Sequence, residues 1–536
     1  MIDVTLYLLI PVITGTVLYL SNSHHVRRLA LLVHFGLFAA AVQGFVYVKT
    51  HGAFVTSLGQ WGAQVGIYMR VDMLSMTLLM LTAFMFAMML LYEYNSTHTN
   101  QLYLFLFMVL QALVSAIFLS NDLFNIFVLI EVATITVAIL IMFKQDRQSV
   151  YDGIVYMLVN IVAMNLFLFG VAFMYRTFGV LDMHAIGSKM HQIQNPVALI
   201  IPYSLMITAV ALKSAIMPLF SWLPKAHGTP SAPSAVSAIL SGLYVKTGVY
   251  LFVRINAMFA GTLDTWQFFL MVGFITAVIG FLLAISQKDI KLILAYHTIS
   301  QIGLIMVGLN YPTDYAFWGG VYHILNHAFF KSTLFLGAGI VIDVYGTRNI
   351  WEIKGVFRKM PAVALASIMA VLGITGAPFF NGSISKYLIQ SGTSGSVVEW
   401  GILLINLGTI ISFIKYSTIF FGSSPADCQS RSQVDPWKKL SLLVMGAMCL
   451  IGGIWGQELI GLLFDQVMTI GVMTQLEKSV TYAITLVAGF VIYKQFVLKT
   501  NLFYKLSLFE LDFNGICLSL TGFMVAMMVW LRVFVV

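Results

Sequence analysis

Three apolar stretches decide the fold: LFNIFVLIEVATITVAIL (123–140), MITAVALKSAIMPLFSWLP (206–224) and AVSAILSGLYVKTGVYLFV (235–253). Each is close to the length that crosses a bilayer, about 20 residues. Each carries one ionisable side chain far from its ends: Glu131, Lys213 and Lys246. A charge at that depth costs roughly 2.5–3.5 kcal/mol or more, so it faces a partner or a water-filled path. Three in succession, with Pro218 and Pro224 expected to break the middle helix, point to an ion pathway.

The rest of the chain extends this pattern. Of 536 residues, 60% are apolar and only 9% charged, against about 25% charged in soluble domains. Apolar runs of spanning length recur from end to end. They are too long and continuous for barrel strands. The expected class is therefore an all-α polytopic membrane protein with about 14–16 transmembrane helices. The lipid bilayer is its expected surrounding. The net charge of +8 sits in short loops and reads as topology, with no nucleic-acid partner expected. The three cysteines, Cys428, Cys449 and Cys517, form no CxxC pair. Neither an iron–sulfur cluster nor a structural zinc site is signalled, and no cofactor or metal is expected. The pair Gly337 and Gly339 lies within an apolar helix and reads as helix packing, not as a dinucleotide fingerprint. The N-terminal MIDVTLYLLIPV lacks a basic flank and reads as a retained first helix.

Sixteen spans are expected, beginning near residues 4, 29, 72, 102, 122, 153, 198, 232, 266, 290, 315, 361, 397, 438, 479 and 512. With the N-terminus outside, the loops after odd-numbered spans carry most of the Lys and Arg. These include Arg27, Arg28, Lys144, Arg147, Arg348, Lys354, Arg358, Lys359, Arg431, Lys438, Lys439, Lys494 and Lys505. The other side holds few, among them Arg70, Arg176 and Arg254. This asymmetry places the basic loops in the cytoplasm and both termini outside.

The middle of the chain divides into two five-span blocks, 102–255 and 266–421. An odd span count makes the second run upside down relative to the first. Inverted repeats with a broken helix in each copy are a transporter signature. The breaks fall at Pro218 and in GITGAPFFNGSISK (373–386) around Pro378. Lys213 and Lys386 flank them. The second spans carry Glu131 and His297, and the fifth carry Lys246 and Lys415. Around the blocks, the expected divisions are a three-helix segment (1–101), a fourteenth helix with loops (422–478) and a two-helix extension (479–536).

The eleventh span reads GVYHILNHAFFKSTLFLGAGIVID (320–343). His323, His327 and Lys331 recur every fourth residue and share one helical face. Neutral histidine both accepts and donates a proton, so the stripe fits a relay. Burial disfavours the charged form of a lysine and a nearby carboxylate favours it. Glu131 and Lys213 could form a pair whose separation decides when Lys213 releases its proton. A buried structural ion pair is the competing reading. Lys415 lies nearer a helix end, where a lysine can snorkel. Asp72 beside Arg70 fits interfacial anchoring.

Six motifs now resemble a known family. They are SNDLFNIFVLIE (120–131), KSAIMPLFSWLPKAHGTPSAPSAVSA (213–238), YVKTGVY (244–250), DIKLILAYHTISQIG (289–303), HILNHAFFKSTLFLGAG (323–339) and GAPFFNGSISK (376–386). In this order they resemble the antiporter-like subunits of respiratory complex I and of Mrp-type Na+/H+ antiporters. The AYHTISQIG and WLPKAH versions, with lysine at 386, are most similar to the Mrp antiporter D subunit. The resemblance covers roughly residues 70–460. It implies two inverted five-helix repeats with broken seventh and twelfth helices. It also implies a proton-translocating axis of Glu131, Lys213, Lys246, His323, His327, Lys331 and Lys386. GAPFFNG departs from the family's turn at the second break, and the last two spans exceed its fourteen helices.

The resemblance implies a subunit that moves protons, with Na+ as a second candidate ion, beside other membrane subunits of a multisubunit antiporter. A multi-pass place in the inner (cytoplasmic) membrane follows. The alternatives are a proton-pumping subunit of complex I or of a membrane-bound hydrogenase, and a stand-alone solute transporter. The chain would hold no redox centre of its own in any of these.

Overall fold

The structure, a computed structural model, describes residues 3–21, 26–62, 66–190, 193, 195–423, 434–499, 506 and 511–535. Cys428, Arg431 and Lys505, used above, lie outside the described residues. Among the described residues, 14 helices are long and apolar enough to cross a membrane, and two shorter apolar helices join them. In chain order the spans are α1 (Leu6–Leu20), α2 (Val26–His51), α3 (Met73–Tyr92), α4 (Gln101–Leu119), α5 (Leu123–Ile141), α6 (Arg147–Phe178), α7 (Ile200–Lys213) and α8 (Ser234–Phe259). There follow α9 (Trp266–Ser286), α10 (Ile290–Asn310), α11 (Asp314–Tyr345), α12 (Pro361–Thr375), α13 (Val397–Ser417), α14 (Pro436–Ile454), α15 (Val472–Ile492) and α16 (Phe513–Trp530). Every expected span has its helix, although α15 starts earlier than residue 479. The fold is all-α except for a two-stranded antiparallel ribbon, Phe54–Ser57 with Tyr68–Val71, between α2 and α3.

Lipid offers no hydrogen bonds, so helix ends must be satisfied within the chain. Asp72, Asn100, Asp122, Asp289, Thr313, Asp435 and Asp512 each accept from a first-turn amide of the helix that follows. Asp72 forms a full capping box with Ser75.

Two parts of the chain are built alike. Asp122 caps α5, α6 runs for 32 residues, and Gly179 ends it in the left-handed region. The segment after α6 then returns, with Met183 N–H donating to Asn121 O and Leu123 N–H to Leu181 O. In the second block Asp289 caps α10, α11 also runs for 32 residues, and Gly346 ends it the same way. Ile350 N–H then donates to Lys288 O, and Ile290 N–H to Arg348 O. The same cap, helix length and return bridge thus recur in corresponding second and third spans.

The fourth span of each block is interrupted. α7 ends at Lys213, and the following turn holds Ala215 at φ 53° and a cis Met217–Pro218 bond. A short helix, Trp222–His227, follows. Pro224 was expected to break the helix together with Pro218, but it lies inside this short helix. There its missing N–H falls in the first turn, where no helical acceptor is needed. α12 ends at Thr375, Gly376 and Phe379 take φ of 80° and 68°, and the helix Asn381–Gly392 continues.

The chain forms two compact units. The first comprises Met1–Trp222, Leu243–Thr265 and Leu511–Val536; the second comprises Leu223–Gly242 and Trp266–Glu510. Within the first, α16 packs on α6 and α7. Within the second, α9 packs along α10, α11 lies against α10 and the helix Asn381–Gly392, and α15 packs on α13. Gly337, read above as packing, lies so close to Ser367 of α12 that a Cβ would meet its Oγ at 2.5 Å.

Candidate functional site

In the first unit the site is built on the end of α7. A helix that stops inside the membrane leaves carbonyls to satisfy. Ser214 N–H donates to Val210 O, Ile216 N–H to Ala211 O, and the Trp222 indole to Leu212 O at 2.7 Å. The stop fixes Lys213, which is buried. Its ammonium donates to Thr134 Oγ1 of α5 at 2.7 Å, and Thr134 in turn donates to Ile130 O. Glu131 lies three residues before Thr134, on the same face of α5. Glu131 is half-buried, and its Oε1 has no hydrogen-bond partner among the described residues. Lys213 is its charged neighbour, yet no ion pair forms between them among the described residues. The lysine therefore rests on a neutral hydroxyl one turn away from the carboxylate. Tyr156 and Tyr244, both fully buried, neighbour Thr134 and Glu131.

Lys246 of α8 is fully buried. Two residues on, Gly248 abuts the break. A Cβ there would lie 2.7 Å from the Lys213 carbonyl carbon and from Ser214 N. Glycine is what lets α8 approach the broken end of α7.

One ion pair in this unit was not foreseen. Arg254 was expected in a loop but lies within α8. It reaches Asp72 at 2.7 Å, stacks over Tyr250 at 4.8 Å, and is 9% exposed. Arg70 also holds Asp72, at 3.0 Å. Asp72 is thus a half-buried ion-pair centre as well as a helix cap, and interfacial anchoring describes only its Arg70 side. A basic residue within two turns of a helix end looks like a loop charge when spans are drawn from hydropathy.

In the second unit α11 presents the expected stripe. His323, His327 and Lys331 are all fully buried. His323 bridges two helices: Nδ1 meets Ser385 Oγ at 2.8 Å and Nε2 meets Gln301 Oε1 at 3.1 Å. An amide oxygen only accepts, so Nε2 carries the proton, and neutral Nδ1 accepts from Ser385. His323 is thereby held between a donor and an acceptor. Asn326 adds bonds to Ser385 Oγ and to Asn381 O, at 3.1 and 2.9 Å. His327 packs edge-on to Phe330. The Lys331 ammonium donates to the Leu294 carbonyl of α10.

Lys386 lies just beyond the second break and donates to Ile374 O, in the last turn of α12, at 2.7 Å. Lys415 does not snorkel. It is buried and donates to Ile285 O at 2.7 Å and to Gln287 O, at the C-terminal end of α9. His297 is fully buried with no hydrogen-bond partner at either nitrogen among the described residues. It packs 4.8 Å from Phe413, with Lys331, Lys386 and Lys415 as its charged neighbours. No carboxylate lies within ion-pair distance of those three lysines among the described residues. Helix C-termini and peptide carbonyls hold the ammonium groups instead.

Two broken spans, each with a lysine at the break, and ionisable side chains buried at mid-span define a polytopic ion-pathway membrane protein. The sequence family described as NADH:quinone oxidoreductase/Mrp antiporter, transmembrane, matches residues 120–412. The chain belongs to this family. It is 30% identical over 423 residues to the D subunit of the Na+/H+ antiporter of Alkalihalophilus pseudofirmus, covering 77% of this chain and 85% of that one. It is 27% identical over 401 residues to the D subunit of the Na+/H+ antiporter of Bacillus subtilis, covering 73% and 80%. In fold it resembles a chain of the Mrp complex from a Dietzia species, with a TM-score of 0.78 and 24% identity, covering 89% of this chain and 99% of that one. It equally resembles a chain of an archaeal membrane-bound sulfane sulfur reductase, with a TM-score of 0.78 and 22% identity, covering 91% and 99%.

Proposed function

We propose that this chain is an ion-translocating subunit of a multisubunit Mrp-type Na+/H+ antiporter in the cytoplasmic membrane. The observation that carries the reading is Lys213, whose ammonium rests on the Thr134 hydroxyl one turn from Glu131, whose Oε1 has no hydrogen-bond partner among the described residues. A structural ion pair would close that gap, because a buried charge left unpaired is destabilising. A switching pair has to be able to stand apart. With Glu131 close, Lys213 keeps its proton. With Glu131 drawn away, the ammonium releases one proton to water and becomes the amine.

In this proposal Glu131, Lys213 and Lys246 carry protons in the first unit. His323, His327, Lys331 and Lys386 carry them in the second. His323 is suited to pass a proton, since one nitrogen accepts while the other donates. Other membrane subunits are the partners, and the transported ions are protons and Na+. The relatives described above with the higher identities are antiporter subunits, which favours this reading over a redox-driven pump.

The test is transport by the assembled complex in proteoliposomes, with an imposed Na+ gradient and an internal pH dye. Glu131→Gln keeps shape and removes charge. It is expected to lower coupled transport by at least tenfold at normal subunit level. Full transport by that variant would remove the switch and leave a structural pair.

A further inference from the structure

The basic end of the second unit holds an ammonium group turned the wrong way. A lysine at a membrane surface normally snorkels, with its stem on apolar surface and its charge in water. Lys359, the last residue of the short helix Val356–Lys359, does the reverse. The residue is partly exposed, but its Nζ is buried and has no hydrogen-bond partner among the described residues. The ammonium is held over the Tyr345 ring, 4.9 Å from its centre. A ring face attracts a cation, yet the three N–H donors of the ammonium still lack an oxygen.

Tyr345 ends α11, and its hydroxyl donates to Lys354 O at 2.7 Å. The connection from α11 to α12 is tied in turn to the end of α13. Gly355 N–H donates to Phe421 O, and Val356 N–H to Ile419 O. Lys359 is therefore carried on a hydrogen-bonded frame.

The charge around it is unbalanced. Arg348 is paired with Asp289 at 2.5 Å. That leaves Lys354, Arg358, Lys359, Lys438 and Lys439 against Asp343, Glu352 and Asp435. Glu352 already accepts from Thr347 and Asn349, and Asp435 caps α14. Arg358 and Lys359 form no ion pair among the described residues. A Cβ on Gly446 would lie 3.1 Å from Ala366 Cα, and further along both helices one on Gly373 would lie 3.5 Å from Cys449 Cβ. Helices α12 and α14 thus start from the same end, with Arg358 and Lys359 just before one and Lys438 and Lys439 at the start of the other.

The depth is that of lipid headgroups. Trp351, Phe357 and Trp437 are each more than a third exposed here, as in the aromatic belt of a membrane–water boundary. Leu365 of α12 and Leu440 of α14 are exposed just inside it. By the loop-charge rule this boundary faces the cytoplasm.

We propose that Lys359 and Arg358 form the headgroup site of one anionic phospholipid of the cytoplasmic leaflet. Its phosphate oxygens accept from the Lys359 ammonium and from the Arg358 guanidinium, whose planar fork suits a phosphate. Lys354 and Lys439 add to the positive potential around it. The acyl chains lie along the exposed leucines. Basic pockets between transmembrane helices on the cytoplasmic side take such headgroups. A free phosphate offers the same oxygens, but the aromatic belt and the leucines beside the site favour the lipid. A bound headgroup ties the end of α11, which carries the histidine stripe, to the start of α12, which leads to the second break.

The experiment uses the assembled complex in phosphatidylcholine nanodiscs that contain a small fraction of photoactivatable phosphatidylglycerol. Mass spectrometry maps the adducts. In the parent, adducts on residues 345–365 are expected at least fivefold above those from the same probe with a choline headgroup. Lys359→Gln is expected to remove that excess, and Lys359→Arg to keep most of it. Lys494→Gln, which removes an exposed lysine elsewhere on the same face, is expected to leave it unchanged. Arg358→Gln, at an exposed position where the fold is not at stake, is expected to lower the excess at least twofold. Unlabelled phosphatidylglycerol should displace the probe, and inorganic phosphate should not. An excess that survives Lys359→Gln or Arg358→Gln, or that falls equally in Lys494→Gln, would overturn the site and leave a diffuse surface attraction. Displacement by inorganic phosphate would overturn the lipid and assign the same donors to a free anion.

Discussion

Lys213 bears the sharpest test at the scale of single residues. Arginine keeps the charge but cannot release its proton at physiological pH. If Lys213 carries protons, Lys213→Arg should be as defective as Lys213→Ala in proteoliposome transport, each at least tenfold below the parent. Parent-like transport by the arginine variant would make Lys213 a fixed counter-ion. Asp72 bears a second test. Burial pushes its carboxyl up, but the Arg254 guanidinium, the Ser75 amide and the Arg70 guanidinium outweigh burial and hold it below the ordinary value of 3.8. Tyr250 is the other titratable group facing this pair. A carboxyl lowered by folding stabilises the protein above its unfolded value, and the contribution is lost as pH falls through the folded value. Asp72→Asn is therefore expected to melt earlier than the parent in detergent at pH 7, with the gap closing below about pH 4. Losing one partner of a fully buried pair costs about 3–5 kcal/mol, and this half-buried one is expected to cost less. A gap that stayed constant across that range would assign the loss to the helix cap alone. The placement of Glu131, Lys213, Lys246, His323, His327, Lys331 and Lys386 within helices was legible in the sequence, because they are charges or histidines in apolar runs. Their partners were not. Thr134, Ser385 and Gln301 are ordinary polar residues, and only a three-dimensional contact sets them apart.

The broken helices bear the test at the scale of elements. Gly382 opens the helix after the second break, and a Cβ there would lie 1.9 Å from the Gly373 carbonyl oxygen. Backbone cannot retreat as a flexible side chain can. Gly382→Ala is expected to push the two half-helices apart, at a cost of about 1–3 kcal/mol. Transport should fall although Lys386 itself is untouched. Retained transport and melting temperature would mean that the break tolerates a wider gap. The existence of both breaks was legible from Pro218 and Pro378. Their extent was not, since Pro224 looks the same in sequence but sits harmlessly in a first helical turn.

Assembly bears the test at the scale of the whole molecule. Expressed without partner subunits, the chain is expected to insert but not to restore sodium resistance to an antiporter-deficient strain. Robust Na+-coupled proton flux from the single purified subunit would support a stand-alone transporter instead. The apolar helices were legible from hydropathy; among the described residues 14 are long enough to span and two are shorter. The loop-charge reading counts Arg254 as a loop residue, whereas it lies within α8. The separate attachments of α15 to α13 and of α16 to α6 and α7 were not legible. Sequence adjacency suggested one two-helix extension, whereas lipid-facing helices dock wherever a complementary surface is available.

Lys386, Lys331 and Lys415 all rest on main-chain carbonyls. An acceptor of that kind is written into the peptide bond and not into any codon. Mutagenesis can remove each lysine, but no ordinary substitution deletes the oxygen it leans on. A scan of side chains will therefore record only half of each contact. The other half becomes visible through chemistry that edits the backbone. An ester in place of the amide between Ile374 and Thr375 would weaken the Ile374 oxygen as an acceptor while leaving every side chain in place. A change in the pH profile of transport would then report the carbonyl's hold on Lys386 together with the loss of the Thr375 N–H.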